Sequence, residues 1–346
     1  MGLVERISRA IAVGDTALDP DSVAFEASRL LDAETPWHAG SRLQGVVHQV
    51  TGLGAVQHLV DDPSVSDVLV NGHGDVWVDR GEGLEMVDTS FSSPDDVVAT
   101  VERVIAPLGL RIDRASPMVD ARLPDGSRLH AVLPPASVDG PLIAIRRFTQ
   151  RVNSLDDLVA SATATAAQVE HLVALVRERK TIVVSGGTGA GKTTLLNLLA
   201  GAIEPTERVV TIEDAAELDL PGHVVRLEAR PPNAEGAGAI PIRALLRSAL
   251  RLRPDRIIVG EVRGAEALDL ISALNTGHRG SLTTVHANSP EEALLRIETL
   301  ALTAGDTSET AVSRQLRAAV DVVVQIERSG SRRRIVAIEE VGGGAG

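Results

Sequence analysis

A short, β-branched apolar run at 181–185 is followed at once by Gly186-Gly187-Thr188-Gly189-Ala190-Gly191-Lys192-Thr193, and then by a helical pattern over 192–201. The pattern G-x-x-x-x-G-K-[ST] becomes a structural prediction when a strand precedes it and a helix follows it. Glycines let successive backbone N–H groups converge on an anion, and the start of a helix adds partial positive charge. The segment from Gly186 to Thr194 is therefore expected to cradle the phosphates of a nucleotide, with Lys192 reaching the β and γ phosphates and the Thr193 hydroxyl meeting Mg²⁺. ATP and Mg²⁺ are the expected ligands. Apolar runs at 209–212, 256–259, 281–285 and 322–326 alternate with helical patterns at 241–252, 264–275 and 290–302. Buried strands alternating with helices predict an α/β domain with a mainly parallel sheet covered on both faces.

Lysine is rare in this chain. Of 34 basic side chains only Lys180 and Lys192 are lysines, so a compact ammonium has been kept where the loop needs one. Phosphoryl transfer to water also needs a carboxylate, and the ends of neighbouring strands are the natural place for it. Glu213 closes the run at 208–212, with Asp214 beside it and Glu217 four residues on; Glu261 closes the run at 257–260. Gly260 stands where many phosphate-loop enzymes carry an aspartate. Two histidines bracket the strand predicted at 281–285: His286 is placed to sense a γ phosphate, and His278 reads as positional.

The first half has a different texture. Residues 1–40 read as a helical leader. Residues 41–148 read as an α+β domain with hairpins around Asn71-Gly72-His73-Gly74 and Pro124-Asp125-Gly126-Ser127, and an amphipathic helix at 94–108. A polar connector over 149–160 leads to the phosphate-loop domain at 161–341, and 342–346 form a glycine-rich tail expected to be disordered. Residues 1–106 hold 6 basic and 18 acidic side chains, whereas 107–151 hold 7 and 4. That basic island contains Arg111, Arg114, Arg122, Arg128, Arg146, Arg147 and Arg151. Arg114, Arg128, Arg146 and Arg147 are candidate arginine fingers, able to stabilise charge on a transferring phosphoryl group.

Composition removes several classes. No run is long and apolar enough to span a bilayer, and the first ten residues carry Glu5, Arg6 and Arg9 where a secretory leader would be apolar. Zero cysteines exclude thiolate metal sites, disulfides and a cysteine nucleophile. A formal charge of -13 and five aromatic rings disfavour direct nucleic-acid binding. A soluble cytoplasmic protein is expected. A nucleic-acid translocase with the same core, and a nucleotide-gated scaffold with little turnover, are the competing alternatives.

Six blocks occur in order: Asp120-Ala121-Arg122-Leu123-Pro124-Asp125-Gly126-Ser127-Arg128, Ile145-Arg146-Arg147-Phe148, 185–194, 209–218, 253–264 and 276–289. Together they resemble the secretion ATPase superfamily of type II and type IV secretion and type IV pilus motors, most nearly the TadA and CpaF ATPases of Flp pilus assembly. The resemblance implies a PAS-like N-terminal domain joined to a RecA-like motor domain. It also implies a Walker A loop at 185–194, an acidic box at 213–217, an atypical Walker B at 257–261 that ends in glycine and glutamate, and a histidine box at 278–286. A homo-hexamer with nucleotide between the domains is implied, with arginines of the first domain completing the site. The implied partner is an inner-membrane platform protein, touched from the cytoplasmic face.

Overall fold

The computed structural model describes residues 3–341, apart from 15, 17–18, 35–38, 82, 148–153, 233–235, 306 and 331. Two compact units are present, Met1–Thr149 and Gln150–Gly346. Residues 149–153 of the expected connector and the glycine tail at 342–346 lie outside the described residues. The connector's last six residues are helical, because Ser154 and Asp157 form a reciprocal capping box at the start of the helix Leu155–Ala160.

The first unit begins with three helices, α1 (Leu3–Val13), α2 (Pro20–Glu34) and α3 (Ala39–Thr51). Ile7, Ile11, Val23, Ala27, Leu31, Val46 and Val50 bury one another in their shared core. Residues 41–51, expected at the start of the strand-rich texture, are thus helical: Leu43, Val46, Val47 and Val50 form a helical stripe. A short helix α4 (Gln57–Asp61) leads into strands β1 (Asp67–Asn71), β2 (Asp75–Asp79) and β3 (Leu84–Val87), helix α5 (Pro94–Ile105), and strands β4 (Met118–Arg122), β5 (Arg128–Val132) and β6 (Leu142–Arg146). The strands form one antiparallel sheet of order β3-β2-β1-β6-β5-β4. Alternate residues Val68, Val70, Val76, Val78, Leu129, Ala131, Ile143 and Ile145 face a core completed by Val97, Val101 and Ile105 of α5. Ser93 caps α5, accepting from the Asp96 amide at 3.2 Å.

The second unit contains α6 (Leu155–Ala160), α7 (Ala166–Arg177), β7 (Ile182–Gly186), α8 (Lys192–Ala200), β8 (Arg208–Glu213), β9 (His223–Glu228), α9 (Ile242–Ala249), β10 (Arg256–Val259), α10 (Glu266–Asn275), β11 (Leu282–His286), α11 (Pro290–Leu302), α12 (Glu309–Ala319), β12 (Val322–Ser329) and β13 (Arg332–Glu340). Its seven-stranded sheet has the order β13-β12-β7-β11-β10-β8-β9. All neighbours are parallel except β12 and β13. One face packs Val183, Val210, Ile212, Ile257, Val259 and Val285 under α9 to α12. The other packs Ile182, Val184, Val209, Ile258 and Leu282 under α7 and α8. The doubly covered parallel sheet follows from these uninterrupted apolar runs. The chain leaves β7 through α8 and returns three strands away at β8, with β11 and β10 between, which creates a switch point at the carboxyl end of β7 where ligands bind in open α/β sheets.

The opposite edge of this sheet is pinned by a buried ion pair. Arg256, only 1% exposed, donates to both carboxylate oxygens of Glu207 at 2.9 and 2.7 Å and to the carbonyls of Val176 at 2.7 Å and Gly280 at 3.2 Å. Gly280 must be glycine here, since a Cβ would lie 2.9 Å from an Arg256 guanidinium nitrogen and its φ is +81°. Arg256→Met is expected to destabilise this unit by about 2–3 kcal/mol at neutral pH, because it removes the bidentate partner of Glu207, leaving that carboxylate Arg179 at 3.1 Å, and removes a donor from two carbonyls. The hydrogen bond from Arg256 holds the Glu207 carboxyl below the usual carboxylate range. Its contribution is complete above the unfolded pKa and is lost as pH falls through the lower folded value. Chemical denaturation of both proteins across pH should therefore show the gap narrowing only in acid, and a gap below about 1 kcal/mol at pH 7 would contradict the assignment.

Candidate active site

The strand β7 is buried along its whole length and ends on Gly186, where a Cβ would lie 2.3 Å from the Ile326 carbonyl oxygen. No side chain fits there. The chain then turns through Gly189 (φ +70°) and Gly191 (φ +96°), and Gly191 is the N-cap of the nine-residue helix α8. Both glycines occupy the left-handed region that L side chains avoid, so the loop's path depends on them. The first turn of α8 presents its backbone amides, those of Thr193 and Thr194 among them, to an anion at the helix N-terminus. Lys192 Nζ donates to the carbonyls of Gly186 at 3.0 Å and Gly187 at 2.9 Å, which holds its ammonium over the loop. Ala190 is buried, Thr188 is exposed at the tip, and Thr193 and Thr194 are half-buried.

Two carboxylates stand at strand ends on this same edge of the sheet. Glu213 is 3% exposed; its Oε2 accepts from the amides of Glu217 and Leu218 at 2.8 and 2.9 Å, while its buried Oε1 has no partner among the described residues. Burial pushes its pKa up, against the lowering effect of those two amides. Gly260 explains how this side chain fits: a Cβ at 260 would lie 3.1 Å from Glu213 Cγ. An aspartate in the usual place would collide with Glu213. Thr284 fixes the same turn by donating to the Gly260 carbonyl at 2.7 Å. Glu261 is more open and accepts from Arg263 at 2.6 Å, and Arg263 also meets Asp214 at 3.3 Å. Arg263 thereby joins the ends of β8 and β10. At about 4.8 Å per strand, β10 lies roughly 10 Å from β7 and β8 roughly 14 Å, so Glu261 is nearer the loop, while Glu213 is the carboxyl whose pKa burial raises.

His286 is the last residue of β11, pairs in register with Gly186 and is exposed. It belongs to the phosphate-loop edge. His278 precedes β11 at the other end, with Nδ1 3.1 Å from the Ala273 carbonyl, so the two histidines are not brought together. In the first unit the sheet register aligns Arg122, Arg128 and Arg146 in one row across β4, β5 and β6. Arg146 is exposed in that row, and Arg114 is exposed in the loop before β4. Arg147 is engaged elsewhere, donating to the carbonyls of Asp62 and, at 3.1 Å, of Val65. Phe148 and Arg151 lie outside the described residues.

Several participants are not among the sequence-derived candidates. Gln325 is buried, accepts from the Ser185 hydroxyl and donates to the Ala287 carbonyl at 3.4 Å, so it links β12 to the residue before the loop and the residue after His286. Arg333 Nε donates to the Gly189 carbonyl at 3.2 Å. A Cβ at Gly189 would lie 3.0 Å from Arg328 Nη1, which puts a second guanidinium against the loop. The signal in sequence is the arginine-rich stretch from Arg328 to Arg334, whose placement depends on a hairpin register.

Among the described residues no helix is long and apolar enough to cross a membrane, and no His, Cys, Asp or Glu cluster could hold a metal ion by itself. The chain is similar to a putative conjugal transfer protein of Mycobacterium tuberculosis, with 42% identity over 84% of each chain. It is similar to the conjugal transfer protein TrbB of Rhizobium radiobacter, with 37% identity over 80% of this chain and 83% of that one. A type IV secretion system PtlH homologue of Bordetella bronchiseptica is 34% identical over 79% of this chain and 89% of its own. The crystal structure of the pilus retraction motor PilT with ADP shares the fold, with a TM-score of 0.61 at 20% identity over 84% of this chain and 83% of that one. The type II/IV secretion system protein family matches residues 49–337, and the chain belongs to that family.

Proposed function

We propose that this chain hydrolyses ATP as a cytoplasmic motor, working as a homo-hexamer on an inner-membrane platform in Flp-type pilus assembly or protein secretion. The observation that carries the proposal is the convergence, on one edge of one sheet, of an anion loop with its lysine and a buried carboxylate with an unpartnered oxygen. The α8 amides and Lys192 hold the phosphates. Glu213 receives the proton of the attacking water as the oxygen bonds to the γ phosphorus and the bond to the bridging oxygen breaks. Glu261 and His286, from neighbouring strand ends, orient that water and the γ phosphate. Mg²⁺ fits this donor set: Thr193 would hold it with phosphate oxygens and waters, and the orphaned Glu213 oxygen suits a water of its shell. When bound, the ion neutralises charge on the phosphates. Arg128 and Arg146, with Arg114 and Arg147 as further candidates, supply a finger to the transferring phosphoryl from the same or a neighbouring subunit. Membrane association is peripheral, through partners.

Phosphate release by the purified chain, measured with ATP and Mg²⁺ or with excess chelator, is expected to show turnover that chelation abolishes. Native mass measurement with nucleotide is expected to give six copies. Absence of hydrolysis under both conditions, with ATP still bound, would support a nucleotide-gated scaffold. Turnover is expected to be unchanged by added DNA, since the charge of -13 opposes contact with a phosphate backbone; strong stimulation by DNA would favour a translocase.

A further inference from the structure

The hairpin of β12 and β13 brings like charges together. Arg328 faces Arg333 directly across the ladder, and Glu327 faces Arg334 in the next pair. Directly opposed residues share a face and neighbours along a strand do not, so Glu327 is on the face away from this arginine pair. Like charges in a directly opposed cross-strand pair destabilise the pairing. The pair is located beside the phosphate loop. Arg333 Nε bonds the Gly189 carbonyl at 3.2 Å, Arg333 Cδ would lie 3.1 Å from a Cβ at Gly191, and Arg328 Nη1 would lie 3.0 Å from one at Gly189.

The base of the hairpin is firmly set. Ile326 packs its carbonyl against Gly186 and its side chain against Gly191, and Gln325 is bonded to Ser185 and Ala287. Both arginines are solvent-exposed, so a bound molecule can reach them. Two exposed guanidinium groups at the rim of an anion loop, Arg333 tied to the Gly189 carbonyl and Arg328 to the Gly330 carbonyl at 2.8 Å, form a site suited to a polyphosphate.

We propose that Arg328 and Arg333 form a cationic fork, supplied by the same chain, that binds the phosphates of the nucleotide held by the loop. The assignment rests on the nucleotide reading of that loop and adds residues that set nucleotide affinity. The fork stands on the motor unit itself, so nucleotide is retained without an arginine from any other unit.

The test is titration of a fluorescent ADP into the full chain and into Arg328→Ala, Arg333→Ala, Arg333→Lys and the double alanine variant, with thermal melts in the absence and presence of ADP. Each single alanine variant is expected to raise Kd about tenfold, and the double variant to raise it further. Arg333→Lys should fall between, because it keeps charge and loses the planar fork. Both side chains are exposed, so the ligand-free melting temperature is expected to change little while the ADP-induced increase shrinks. Kd values within twofold of wild type in all the alanine variants would overturn the fork and leave the nucleotide reading intact. A fall in ligand-free melting temperature alongside lost binding would also overturn it, because the arginines would then only brace the loop. Failure of the wild-type chain to bind ADP would sink both.

Discussion

Glu213→Gln is expected to lower kcat for ATP hydrolysis by about 10²–10⁴-fold while leaving the protein folded and able to bind nucleotide. The amide oxygen of glutamine can accept the two hydrogen bonds that Oε2 takes from Glu217 and Leu218, so the turn that follows β8 is retained. What disappears is the ionisable oxygen that could receive a proton. Burial raises the pKa of Glu213, which makes its anion a stronger base than an exposed glutamate. The same shift has a stability sign. A carboxyl whose folded pKa is raised works against folding once pH exceeds its unfolded pKa, so the glutamine variant is expected to match or exceed wild type in melting temperature near neutrality. The wild-type rate should fall on the acid side at a pH above the ordinary carboxylate range, and the variant's residual rate should lack that limb. A variant turning over within tenfold of wild type would transfer the role to Glu261. That residue is nearer the loop, but Arg263 already engages its carboxylate at 2.6 Å.

The phosphate loop and the buried strands were legible because their signals are local. A β-branched run, glycines and a helical stripe stand next to each other in the chain, and a mainly parallel, doubly covered sheet follows from the alternation of apolar strands and helices. Edge elements were not legible for the opposite reason. The strand β13 begins Arg332-Arg333-Arg334, confines its apolar residues to 335–338 and buries little beyond Ile335, and β9 mixes exposed His223, Arg226 and Glu228 with half-buried Val224, Val225 and Leu227, so neither reads as a buried strand. Helix α12 buries only Val312, Leu316 and Ala319 and is equally illegible. In the site, both glutamates could be placed at strand ends, but the burial of Glu213 could not. It depends on the amides at 217 and 218 folding back and on Gly260 lacking a Cβ, which are tertiary facts. The pairing of Arg328 with Arg333 is invisible for a related reason, since a shift of one residue in the hairpin would send one of them to the other face.

Lys192→Ala is expected to abolish measurable hydrolysis, with kcat/KM down by about 10³-fold or more, because it removes the cation aimed at the oxygens where charge develops. Lys192 reaches the loop from the first turn of α8 on a flexible stem, and its two bonds to Gly186 and Gly187 set the ammonium over the amides that bind phosphate. Arginine should not rescue it. A guanidinium is wider and planar, and the carbonyls it would have to approach belong to a loop closed on one side by Ile326 and held at Gly189 by Arg333. Lys192→Arg is therefore expected to stay within about tenfold of the alanine variant in turnover, although the formal charge is unchanged. The two carbonyls released by the alanine change lie at a loop that water can reach, so the loss of stability should be small, about 1 kcal/mol or less. Activity and melting temperature measured together separate the possibilities: a large drop in stability would make the lysine a structural tie of the loop, and recovery of turnover by arginine would show that charge alone suffices.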